Sequence, residues 1–241
     1  MVIQSSGAVQ CQRTRRFLSE SVDGETWTCT YCDDHEMYRR LGPNDLGHGL
    51  VLAAVAMCRT DFGVEDDGLG TVVWLGASPE TVFEVGHNAW HVYLARAAND
   101  LQHMYSGAHE AFHRVCTPHL VFHWVDEMLA VLFSLAFLER INQHRHADLN
   151  RSCLIEESAR CPPEQMLAMD RVPYPDGMYG RAYVVGAALV DAVGWPAVTR
   201  LALARDASQQ ANIESWLDSL TPRQRTSARL TLEAEIGCPQ A

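Results

Sequence analysis

His109-Glu110-Ala111-Phe112-His113 decides how the rest of this 241-residue chain is read. On a helix, H-E-x-x-H places two imidazoles one turn apart on one face with a carboxylate beside them, the arrangement of a catalytic zinc site. With 11 histidines in the chain, the pattern is expected by chance only about 0.03 times, so composition alone does not account for it. Asn99 and Asp100 can cap a helix start. Leu101, Tyr105, Ala108, Phe112 and Val115 then recur at helical spacing and predict a buried stripe, with His109 and His113 beside it. The competing reading is an ordinary amphipathic helix whose histidines hold nothing.

Two neutral imidazoles leave Zn²⁺ under-coordinated, so a third protein ligand is expected downstream. His119 stands where an H-E-x-x-H-x-x-G-x-x-H site has its last histidine, but Cys116 occupies the glycine position. A reversal tight enough to return His119 to the metal favours positive φ, which a residue with a Cβ tolerates poorly. Thr117-Pro118 also reads as an N-cap and first turn of a new helix. Glu127 is the second candidate, and Asp126 and His123 are further ones.

Trp124-Val125-Asp126-Glu127-Met128-Leu129-Ala130 resembles the W-x-x-E-G-x-A helix of the gluzincin zinc peptidases, the group of thermolysin and the leukotriene hydrolase-type aminopeptidases. The resemblance implies that Glu127 is the third zinc ligand; Met128 departs from the usual glycine. Tyr183-Val184-Val185-Gly186 is similar to the Y-x-x-G helix of the same group, which implies that the Tyr183 hydroxyl faces the substrate carbonyl oxygen. Tyr179, one turn earlier, is the alternative, and either ring could instead anchor a core. Val131 stands where the thermolysin branch has an acidic residue, so the likeness is to the aminopeptidase-like or minimal gluzincin branch. It spans roughly residues 45–200 through three short motifs.

What the resemblance implies is a zincin-like α+β fold and one catalytic Zn²⁺ on His109, His113 and Glu127. Glu110 is expected to act as the general base, taking a proton from water and returning it to the leaving amine. Trp90, His91 and Val92, on the strand before the motif helix, are expected to present a sheet edge to an extended peptide or protein substrate. The alternatives are a non-peptidase metalloenzyme, whether a small-molecule amide hydrolase or an iron enzyme with two histidines and one carboxylate, and a catalytically silent zincin-fold interaction module. Intact Glu110 favours hydrolysis.

A net charge of −11 and a pI near 5.4 argue against nucleic acid or an anionic membrane as partner. The amino terminus lacks an apolar signal core and no long uncharged apolar run appears, so a soluble cytoplasmic protein is expected. Eight cysteines are too few for a disulfide scaffold. Cys29 and Cys32, with Cys11 and His35, have part of the spacing of a structural metal site, a weak signal beside buried or surface thiols.

The pattern predicts one catalytic domain over 1–241: an α/β lobe over 1–117 ending in the motif helix, and a helical lobe over 118–241. In the first lobe a strand is expected near Thr26–Tyr31, a helix from Asp45 to Cys58, an acidic loop over Phe62–Gly70, and strands at Thr71–Leu75, Val82–Val85 and Ala89–Leu94. In the second, a helix from about Pro118 to Ile141 leads into a polar segment at His144–His146 and a short helical piece after Pro162-Pro163. Helices at Tyr179–Val193, Pro196–Ala204, Ala207–Leu217 and Pro222–Ile236 follow. The site is expected between a small mixed sheet with its motif helix and the helical lobe.

Overall fold

The structure is a computed structural model that describes residues 9–10, 17–18, 39–84, 88–96, 98–117, 123–168 and 174–237; at 9–10, 17–18 and 84 only the backbone is described. The strand expected at Thr26–Tyr31, the cysteine cluster with His35, and Pro118 with His119 lie outside these residues. Two compact units are formed, Met1–Ala56 with Asp66–Arg114, and Met57–Glu65 with Val115–Ala241.

In the first unit β1 (Val9–Gln10) and β2 (Phe17–Leu18) pair antiparallel. A four-stranded sheet is built from β3 (Arg39–Arg40), β4 (Gly70–Gly76), β5 (Glu80–Glu84) and β6 (Ala89–Ala95), in the order β3-β4-β6-β5. Helix α1 (Leu46–Phe62) precedes β4 and helix α2 (Asp100–Cys116) follows β6; both run across the division between units. β6 pairs in parallel with β4 and antiparallel with β5.

Strand alternation and register put Thr71, Val73, Thr81, Trp90 and Val92 on one face and Trp74, Val82, His91 and Tyr93 on the other. The first face meets α2: Arg114 lies over the Trp90 ring, 5.1 Å from its centroid, and donates to Thr71. On the other, Trp74 stacks on Tyr93 and donates its indole N–H to His91 Nδ1 at 3.2 Å. Buried Arg114 also grips both carboxylate oxygens of Asp67 at 2.7 Å, anchoring the acidic loop. Burial of that cation is tolerable because its donors are met by charge and carbonyl.

Asn99 caps α2 as expected, its side chain accepting from the Gln102 N–H. Ala108, Phe112 and Val115 are buried, but Leu101 is 40% exposed, so the stripe begins later than the sequence pattern indicates.

The second unit is helical. Its centre is α3 (Trp124–Arg140), buried at every position from Trp124 to Leu138 except Ala136. A helix apolar all round needs neighbours on every side. Around it and one another pack α4 (His144–Ser158), α5 (Pro163–Leu167), α6 (Met178–Val193), α7 (Trp195–Val198) with a 3-10 turn at Thr199–Leu203, α8 (Ile213–Ser219) and α9 (Pro222–Ile236). Phe62, at the end of α1, makes edge contacts with Phe133 and Trp195.

Gly186 explains Met128. A Cβ on Gly186 would stand 2.7 Å from Met128 Cγ and 2.8 Å from Leu132 Cδ1, so α6 comes down onto α3 at that point. The small residue expected after Glu127 on α3 is supplied from α6 instead. Gly180 does the same against α4, where a Cβ would meet the Leu154 carbonyl at 2.3 Å.

Several expectations are corrected. The polar segment at His144–His146 opens helix α4, which has only Ala147 and Leu154 fully buried and therefore shows no apolar stripe. The α3 helix starts at Trp124 rather than Pro118, because His123 is extended (φ −146°, ψ 137°) and caps it. Pro196–Ala204 divides between α7 and the 3-10 turn. Ala207–Leu217 is helical only from Ile213: the Asp206 carboxylate takes the N–H groups of Ser208 and Gln210, a local bond that competes with helix, and Asn212 caps α8. Cys58 and Cys116 are buried thiols with Sγ atoms 3.9 Å apart. Among the described residues, no single helix is long and apolar enough to cross a membrane.

Candidate metal centre

Helix α2 delivers the two histidines as the spacing requires. His109 is buried and His113 half-buried, and their Nε2 atoms stand 3.1 Å apart with ring centroids at 4.8 Å. Two imidazole nitrogens at ~2.0–2.1 Å from a tetrahedral zinc would be about 3.4 Å apart, so the observed pair is already close to the spacing of two ligands.

His109, His113 and Glu127 form a group that could hold a metal ion: one ligand atom from each lies within 4.8 Å of the others. Two neutral nitrogens and one carboxylate suit zinc, and also Fe(II). The donor set therefore fits a divalent cation without naming it.

Glu110, between the histidines, is not part of that group. It is 6% exposed, and its Oε2 accepts the Thr81 hydroxyl at 2.7 Å; the same hydroxyl lies 3.0 Å from the Glu110 carbonyl. One proton serves two acceptors, so Thr81 ties both the backbone and the carboxylate of Glu110 to β5.

Glu127 is 4% exposed, and its Oε1 accepts the Tyr174 hydroxyl at 2.8 Å. Its neighbour Asp126 is engaged elsewhere, with Oδ1 2.7 Å from Arg205, which also donates to the Cys116 carbonyl. His123 accepts the Val125 N–H on Nδ1, which leaves any proton of the neutral ring on Nε2. Burial pushes the His123 pKa down, with nearby Asp126 opposing and Arg205 reinforcing that shift. Val131 is fully buried.

The tyrosine on the Glu127 carboxylate is thus Tyr174, which the sequence reading did not single out. Tyr179 is 37% exposed and meets the Tyr174 ring edge-on at 5.7 Å. Tyr183 is half-buried on α6. Thr81 was also missed; its signal is its place on the helix-facing side of β5, visible only once the register is known.

The edge assigned to Trp90, His91 and Val92 is corrected. β6 is an interior strand with backbone partners on both sides, and all three residues are at most 2% exposed. Alternation also sends His91 to the face opposite Trp90 and Val92. The short outer strand beside β6 is β5. Comparison with known protein families, curated proteins and solved structures finds no match to this chain.

Proposed function

We propose that the chain is a zinc-dependent metallopeptidase. The observation that carries this reading is the convergence of His109, His113 and Glu127 ligand atoms, with an intact glutamate held beside them by Thr81. When bound, zinc would supply Lewis acidity, polarising a carbonyl and making water easier to deprotonate.

The chain's own groups do the rest. Glu110 accepts the proton of the attacking water and passes it to the leaving amine, a role suited to a carboxylate fixed in orientation but outside the ligand group. The Thr81 bond to Oε2 fixes the orientation in which the carboxylate would take that proton. An extended peptide would add to the outer side of β5, since both ladders of β6 are taken. The substrate is accordingly a peptide or unfolded protein segment, with Tyr183 kept as the candidate donor to its carbonyl oxygen.

The donor set equally admits a two-histidine, one-carboxylate iron enzyme, so the deciding experiment has two parts. Metal analysis of the purified protein is expected to find one zinc per chain in wild type and much less in Glu127→Ala. A peptide-library digest is expected to show cleavage that Glu110→Gln abolishes. Iron in place of zinc, or bound zinc with no cleavage of any peptide, would overturn the reading.

A further inference from the structure

A buried carboxylate that serves as a metal ligand has to be held in one rotation, because its oxygens are equivalent until something distinguishes them. In metal sites that task falls to an outer hydrogen bond. Glu127 is 4% exposed, and the Tyr174 hydroxyl reaches its Oε1 at 2.8 Å. A carboxylate only accepts, so the phenol donates. Tyr174 sits just ahead of α6, where Gly177 takes positive φ (75°) and its neighbouring Gly180 lies against the α4 backbone. Its ring is braced edge-on by Tyr179. The hydroxyl is therefore held by its bond to Glu127 and by that ring contact.

We propose that Tyr174 is the positioning residue of the metal ligand Glu127: its O–H holds Oε1 and fixes the rotation in which the carboxylate stands beside His109 and His113. This rests on the metal-centre reading above and adds to it a group outside all the sequence motifs. It also separates two tyrosine roles: Tyr174 acts through Glu127, and Tyr183 is the candidate donor to substrate.

The test uses full-length protein stripped with a chelator and titrated with Zn²⁺ against a chromophoric competitor. Tyr174→Phe, which keeps the ring and removes the hydroxyl, is expected to bind zinc about 10–100-fold more weakly than wild type, as losses of outer-shell partners do. Tyr179→Phe should bind as wild type. A Tyr174→Phe affinity within about twofold of wild type, or an equal loss in Tyr179→Phe, would overturn the assignment. The visible spectrum of the cobalt-loaded protein supplies a readout that packing alone does not move: its ligand-field bands should shift in Tyr174→Phe, and an unchanged envelope overturns the proposal even where apo stability has dropped. Wild type that binds neither zinc nor cobalt would overturn the metal centre itself and this inference with it, a failure read in the wild-type curve alone.

Discussion

Helices α2 and α3 are each seventeen residues long, and each contributes to the candidate centre, yet they carry their polar groups in opposite ways. α2 is amphipathic, so His109, Glu110 and His113 follow from its turn spacing, beside an apolar stripe that does the packing. α3 is buried nearly all round, and each of its two buried carboxylates has a dedicated partner: Asp126 has Arg205, and Glu127 has Tyr174. Buried polar groups on both helices are tolerated because each is partnered, Glu110 on α2 by the neutral Thr81 hydroxyl and Asp126 on α3 by the Arg205 cation. A change at Glu110 that keeps its shape should therefore register mainly in chemistry, and the loss of a charged partner around α3 mainly in stability.

The largest effect tests the α2 half. Glu110→Gln should lower kcat by about 10²–10⁴-fold on whichever peptide the digest identifies, with metal content and thermal midpoint near wild type. A fall of less than tenfold would remove the general-base role.

Next comes the α3 half. Arg205→Ala leaves Asp126 buried without its cation and should cost about 3–5 kcal/mol in urea unfolding. The exposed pair Arg229–Glu214 is the control, where Arg229→Ala should cost no more than about 1 kcal/mol. Equal costs at the two pairs would erase the contrast.

Gly186→Ala probes the place where α3 accepts Met128 and should destabilise by about 1–3 kcal/mol through overpacking. Combining it with Met128→Ala should cost less than the two single changes added together, because the second change opens the space that the first one fills.

The smallest effect is a pH dependence. Burial holds the folded pKa of His123 below its ordinary value near 6.5, so the unfolded chain binds the proton first. Stability is then present above about pH 6.5 and is lost as pH falls toward the folded pKa. His123→Asn keeps an N-capping acceptor and should flatten that slope in metal-stripped protein; an unaltered slope would assign it to other groups.

The same contrast explains what the sequence made legible. The motif helix, the strands at Gly70–Gly76 and Ala89–Ala95, and the two histidines rest on local periodicity and spacing, which a chain displays openly, whereas Glu127 rests on a resemblance. The helix α4 was not visible, because its stability comes from Gly180 letting α6 approach its backbone and not from a stripe of its own. Trp90–Leu94 reads as a strand from its residues, but whether it lies inside or at the edge depends on β5 folding back to pair with it on one side while β4 pairs on the other. Asp206 redirected Ala207–Asn212 through side-chain bonds that propensity does not count. Thr81 and Tyr174 belong to no motif; each is recognised only by the atom it touches.

The buried thiols have a practical consequence for watching the protein breathe. Burial, the neighbouring Cys116 and nearby Asp61 hold the Cys58 thiol well above its ordinary pKa, while Cys153 on α4 is exposed. An alkylating reagent mapped residue by residue should mark Cys153 at once and Cys58 and Cys116 only when the C-terminal ends of α1 and α2 come apart. Their labelling rate, compared with and without added metal, would serve as a clock for opening at the helix that carries His109 and His113.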